Sequence, residues 1–168
     1  MKKLFLFFSL LVFNSKIINA QTCTGCSTII NQTDTSEYIV SLGQKLCIDS
    51  MGNIFGKVTL NGGIICNKGF FNPKELIVNS GTINNSGNLT LLFSLTLPSS
   101  SALTISESSV ININGDLIMN SSNVINYGFI NITGNVQNNN SVLINYNVIN
   151  CNETSGGAIT NSGIINEN

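Results

Sequence analysis

Asn126-Tyr127-Gly128-Phe129-Ile130-Asn131 decides the fold, because it comes back along the chain. The pattern is Asn-x-Gly-x-apolar-Asn. It occurs as Asn67-Lys68-Gly69-Phe70-Phe71-Asn72, and with its last Asn replaced as Asn85-Ser86-Gly87-Asn88-Leu89-Thr90. It returns as Asn145-Tyr146-Asn147-Val148-Ile149-Asn150 and Asn161-Ser162-Gly163-Ile164-Ile165-Asn166. Degenerate copies are Ser50-Met51-Gly52-Asn53-Ile54-Phe55 and Glu107-Ser108-Ser109-Val110-Ile111-Asn112, so successive copies start 17, 18, 22, 19, 19 and 16 residues apart. That period suits one coil of a β-solenoid, whereas helical repeats need over 30 residues.

Residue types around each copy agree. Val110-Ile111-Asn112-Ile113-Asn114 and Val142-Leu143-Ile144-Asn145 put β-branched or apolar side chains on alternate positions, as a pleated strand with one buried face requires. Asn, Ser, Gly and Thr dominate the remainder and Ala is scarce, which disfavours helix. Asn and Gly tolerate positive φ, and tight corners are expected to use them so. The predicted class is all-β, a parallel β-solenoid of about six to seven coils over residues 46–168. An antiparallel β-sandwich with Asn-Gly hairpins is the alternative that strand and turn signals alone leave open. In a solenoid, equivalent residues stack about 4.8 Å apart. Asn67, Asn85, Asn126, Asn145 and Asn161 are therefore expected at corners, hydrogen-bonded to one another as a ladder.

Residues 1–20 read as a secretory signal: Lys2 and Lys3, an apolar run from Leu4 to Phe13 broken only by Ser9, and Ala20 before the expected cut. The run is too short to span a bilayer, which takes about 20 residues. Cys23 follows Ala20-Gln21-Thr22 and lacks the context of a lipid-acceptor cysteine. Residues 21–45 match the repeat poorly and are expected to form an N-terminal cap. Removing residues 1–20 leaves four lysines against eight acids, 4 − 8 = −4, with no Arg or His and no basic residue after Lys74. That excludes a nucleic-acid footprint and argues against an anionic membrane surface, leaving membrane contact to export alone. The chain stops at Asn168 just after a repeat copy with no distinct cap, so three readings stand: an open last coil able to self-associate, a coil covered by another molecule, or a shortened version of a longer protein.

The cysteines are Cys23, Cys26, Cys47, Cys66 and Cys151. In an exported chain disulfides among the first four are the expectation. Cys47 and Cys66 lie one period apart and could stack on adjacent coils, although their registers against the Asn motif differ by two residues. Zinc is the competing reading of Cys23-x-x-Cys26, but no second close pair and no His complete a site. The odd Cys151 is either buried or free.

Catalytic parts are missing. With no His or Arg, most acid–base, phosphoryl-transfer and triad mechanisms lack members. Asp34, Asp49 and Asp116 are whole coils apart. Glu107 and Asp116 form the one pair that could approach as glycosidase carboxylates do. Gly115-Asp116 lacks the repeated Gly-Gly-x-Gly-x-Asp of calcium-binding coils. No catalytic residue, cofactor or metal is therefore expected. Tyr127 and Tyr146 share a repeat position and form a candidate two-ring ligand strip, or else close a corner by packing.

Cys23-Thr24-Gly25-Cys26, Gly43-Gln44-Lys45-Leu46-Cys47-Ile48, Leu60-Asn61-Gly62-Gly63-Ile64-Ile65-Cys66-Asn67 and Ile125-Asn126-Tyr127-Gly128-Phe129-Ile130-Asn131 together resemble the N-terminal region of Asn-rich surface proteins of gliding-type bacteria. The resemblance implies adhesin-like proteins exported by the Sec route and then by the type IX system, usually ending in a C-terminal sorting domain. None follows Asn168, so extracellular, cell-surface and periplasmic locations all stay open. The expected function is a non-catalytic structural or adhesin-like module whose partner is a polysaccharide or a cell-surface component. A carbohydrate-binding solenoid is the alternative. A polysaccharide-degrading β-helix is more remote, and ice binding is disfavoured because the Thr residues are scattered.

Overall fold

The computed structural model describes residues 23–168; the expected signal segment, residues 1–20, lies outside them. The chain winds as a parallel β-solenoid of about seven turns, each contributing a short strand to three faces. Face A runs through Thr28–Ile30, Lys45–Ile48, Ser101–Ile105, Asn123–Asn126, Val142–Asn145 and Ile159–Asn161. Face B runs through Thr33–Asp34, Asn53–Ile54, Phe70–Phe71, Asn88–Leu91, Val110–Ile113, Phe129–Ile132, Val148–Cys151 and Ile164–Glu167. Face C holds Tyr38–Ser41, Leu95–Leu97, Leu117–Asn120, Val136–Asn139 and Thr154–Gly156. Two long strands, Lys57–Asn67 and Glu75–Asn85, bend from face C into face A through a register shift near Asn61.

Pairing between turns is parallel in every ladder among the described residues, which excludes the antiparallel sandwich. At about 4.8 Å per turn the rod is about 35 Å long. Alternation sets what fills it: on face B, Ile111, Ile130 and Ile149 point inward and are fully buried, stacked on one another. Leu103, Val124 and Leu143 do the same on face A, and Leu117 and Val136 on face C. An isolated turn would expose this stripe, so each is stable only against its neighbours.

Residues 21–45 were expected to cap the rod, and the described part of that segment winds as its first turn: Thr28–Ile30 pairs with Lys45–Ile48, and Tyr38–Ser41 pairs with Val58–Asn61. Two copies of the motif also sit differently from the sequence alignment. Register places Ile48 and Ile105, not Ser50 and Glu107, at the first Asn position. Both turns carry a four-residue corner, Asp49–Gly52 and Ser106–Ser109, closed by hydrogen bonds from Gly52 N to Asp49 O and from Ser109 N to Ser106 O. Other turns use two residues there. The two extra residues before Gly52 account for the register mismatch between Cys47 and Cys66.

Glycine's role divides between two corners. The motif glycines have no positive φ; they are needed because coils approach closely, and a Cβ on Gly128 would lie 2.5 Å from Ser109 O and 2.6 Å from Ser106 O. Positive φ recurs at the turn from face C to face A, where Gly43, Gly62, Gly81, Ser100, Ser121, Asn140 and Gly156 occupy it on successive coils, and Ser108 has it in the longer corner between faces A and B.

Candidate functional site

The corner between faces A and B carries most of the residues singled out in the sequence. Asn67, Asn85, Asn126 and Asn145 point into it and are fully buried. Asn126 accepts from Gly128 N (3.0 Å) and donates to Val148 O (3.1 Å) and to Asn145 Oδ1 (2.7 Å). Asn145 passes the ladder to Asn161 Oδ1 (2.9 Å), and Asn67 donates to Asn85 Oδ1 (2.7 Å). The ladder is interrupted once, at Ile105, where the Ser109 hydroxyl takes over by donating to the Asn85 and Ser106 carbonyls. A buried amide that meets this many partners is held structurally. Asn67, Asn85, Asn126 and Asn145 are enclosed in the wall of the rod, and Asn161, on the last turn, continues the ladder at an exposed position.

Tyr127 and Tyr146 stack on the outside of the same corner, ring centroids 4.8 Å apart and planes 1° from parallel. Each ring covers a face of the other, so the pair presents edges and hydroxyl groups to solvent. A sugar ring lies flat on an aromatic face, and the stack leaves only its two end faces, towards Ser106 and Ser162, for that.

The first four cysteines form two disulfides, Cys23–Cys66 and Cys26–Cys47, both with Cα atoms 5.8 Å apart. Cys47 and Cys66 are indeed register neighbours on face A, but each bonds to the N-terminal segment rather than to the other. Residues 23–26 thus lie as a strap across the outside of the second and third turns. Lys45 Nζ donates to Thr24 O (2.7 Å) and adds a polar contact to it. Cys151 is buried, inside face B, and without a disulfide; burial, with the Glu167 charge nearby, raises its thiol pKa.

The acids serve local structure. Asp34 accepts from the Tyr38 hydroxyl and Ser36 N, both at 2.7 Å, and the tyrosine bond leads in holding its pKa below the usual value. Tyr38 is pushed up to about 12 by burial and then by that carboxylate. Asp116 accepts from Asn135 N (2.7 Å) and Gln137 Nε2 (3.4 Å) on the next turn. Glu107 and Asp116 stand at opposite ends of the strand Val110–Ile113, at different corners, and do not face each other as a glycosidase pair. Glu167 is engaged by the Thr154 hydroxyl and amide, which lower its pKa. Among the described residues no three His, Cys, Asp or Glu side chains group as metal ligands.

The outer surface of face B was not singled out in the sequence. In its last four turns one outward column is apolar: Val110, Phe129, Val148 and Ile164. The next is an amide ladder, Asn112, Asn131, Asn150 and Asn166, linked at 2.9, 2.7 and 2.7 Å. Further up, Phe55, Pro73 and Leu92, with Asn72, Lys74 and Thr90, line a shallow cleft of about 340 Å³. The signal for this surface was the second Asn of each motif copy together with the apolar residue two places before it.

Known proteins were compared at the level of family models, curated sequences and solved structures, and none matches this chain. Fold and site define the class on their own: a disulfide-strapped parallel β-solenoid with buried Asn ladders.

Proposed function

We propose that the chain is a non-catalytic structural or adhesin-like module, exported and displayed at or beyond the cell surface, whose rod holds a binding face at a fixed spacing. The observation that carries this is the commitment of side chains to the stack: buried amides link the turn of Asn67 to that of Asn85 and the turn of Asn126 to that of Asn145, and the carboxylates of Asp34, Asp116 and Glu167 are engaged in local hydrogen bonds. The two disulfides are consistent with an oxidising compartment. The resemblance to Asn-rich surface proteins supports surface display. The A–B corner acts as the spine of the rod, with Tyr127 and Tyr146 packed to close it.

Antibody labelling of intact expressing cells, combined with adhesion of beads coated with the purified oxidised chain, tests this reading. Surface labelling together with bead adhesion to cells or to polysaccharide is the expected result. A chain confined to the cytoplasm with free thiols, beads that adhere to nothing, or turnover of a polysaccharide would overturn it.

A further inference from the structure

We infer that the outer surface of face B is the binding face, and that it takes an uncharged polysaccharide lying along the rod axis. This rests on the adhesin-like reading and supplies its ligand class.

Distribution of exposed apolar side chains comes first. Eleven large hydrophobic residues are exposed among the described residues, and seven of them, Met51, Phe55, Phe70, Leu92, Phe129, Tyr146 and Ile164, lie on face B or on a corner that bounds it. Folding leaves single apolar residues on any surface, but a contiguous column marks an interaction site. Charge comes second. No charged residue occupies either outward column of face B along its seven turns from Asn53 to Ile164; Asp34 and Glu167 lie on the face B strands at the two ends of the rod, and Lys68, Lys74, Glu107 and Asp116 stand on corners. Along the last four turns an anionic polymer would meet no compensating cations, because the chain carries no Lys or Arg beyond Lys74, which borders the cleft nearer the N-terminus.

Hydrogen-bonding capacity comes third. An Asn side chain offers two N–H groups and two lone pairs on its oxygen. Within the outer ladder Asn131 and Asn150 each use one N–H and one lone pair on their neighbours. One donor and one acceptor per turn stay free and point outward. Hydroxyl groups, which both donate and accept, match that pattern. The parallel column of Val110, Phe129, Val148 and Ile164 lies two residues away along each strand and suits the C–H faces of pyranose rings. The turns repeat about every 4.8 Å, close to the width of one sugar ring, so equivalent contacts recur along a polymer. The cleft between Phe55 and Leu92 extends the same strip towards the N-terminal turns.

Retention of the oxidised chain on microcrystalline cellulose, chitin and β-1,3-glucan, with alginate and polygalacturonate as acidic controls, tests the inference. Retention is expected on at least one neutral polymer and unchanged between about 0.1 and 1 M NaCl, since no ion pairs are involved. The double variant Phe129→Ser, Ile164→Ser is expected to lose about tenfold or more in affinity, about 1.4 kcal/mol, with an unchanged circular dichroism spectrum. Val142→Ser, equally exposed on face A, is expected to bind as the parent chain does. No retention on any neutral polymer, or retention indifferent to the face B double variant, overturns the proposal. So does an oligomer that the double variant converts to monomer without any polysaccharide binding, because the occupant is then a second copy of the chain. Beads that still adhere to cells while neutral polymers are not retained separate failure of this inference from failure of the adhesin-like reading.

Discussion

Replacing Asn126 with alanine measures what the inner ladder contributes. The residue is fully buried and its side chain makes three hydrogen bonds, to Gly128 N, Val148 O and Asn145 Oδ1. Truncation leaves Gly128 N and Asn145 Oδ1 without these partners inside the wall, and Val148 O loses a donor. An unsatisfied buried group costs about 1–3 kcal/mol, so the expected loss is about 2–6 kcal/mol, a large share of the stability of a typical domain. For a chain of this length that lowers Tm by roughly 4–24 °C, at about 2–4 °C per kcal/mol. The matched control is Asn131→Ala in the outer ladder, which removes bonds to Asn112 and Asn150 at a half-buried site that water can reach. Its cost is expected below about 1 kcal/mol. Urea denaturation followed by circular dichroism gives both values. Equal costs within about 1 kcal/mol would refute the assignment of the inner amides as the spine of the rod.

Three further outcomes are expected. Peptide mapping under non-reducing conditions yields Cys23 joined to Cys66 and Cys26 joined to Cys47, and removing either bridge lowers stability by about 3–4 kcal/mol on the chain-entropy account; a Cys47–Cys66 peptide would refute the strap. Gly128→Ala costs about 1–3 kcal/mol by overpacking against the Ser106 and Ser109 carbonyls, while Ser121→Gly, at φ 51°, is neutral or stabilising; thermal melts of the two variants decide, and a neutral Gly128→Ala sinks the close-approach argument. Asp34 has a lowered folded pKa, so its contribution is present above the unfolded value and is lost as pH falls through the folded one; Tyr38 has a raised one, so its contribution is present below about 10 and is lost as pH rises towards about 12. Asp34→Asn should flatten the acid limb of the stability profile and move the alkaline titration of Tyr38 down, and a profile identical to the parent chain's would show that this pair is not coupled.

The period of the Asn motif carried the fold into view because a solenoid repeats in sequence what it repeats in space. Inward columns such as Ile111, Ile130 and Ile149 follow from alternation alone. Alignment failed where corners changed length: the two extra residues in Asp49–Gly52 and in Ser106–Ser109 moved the first Asn position to Ile48 and Ile105, and an apolar residue there is invisible to a search for Asn. Positive φ was expected of Asn and Gly at tight corners, and Asn140 and several glycines adopt it, but so do Ser100, Ser108 and Ser121. Those residues are common in every loop of this chain, so type alone could not mark them. The disulfide pairing also lay beyond the sequence, since it depends on the non-strand segment 23–26 lying over face A rather than within it.

Low charge, which first read as a clue to function, is in large part a consequence of the architecture. A side chain on an outward column has its equivalents about 4.8 Å above and below. Like charges at that distance repel by about 1 kcal/mol in water, and more near a protein surface. A charged motif position would repeat that cost at every turn, whereas an amide repeated at the same spacing gains a hydrogen bond at every turn. The ion pair within the stack obeys the same rule: Lys57 and Glu75 are register partners on adjacent turns, of opposite sign, 3.0 Å apart. Stacking therefore explains why Asn replaces Asp and Lys on all three faces. It does not explain why Phe70, Phe129 and Ile164 stand exposed on face B, where Thr or Ser would satisfy the ladder equally well. The part of the surface that the fold does not dictate is the apolar column, which is why the proposed ligand is placed there.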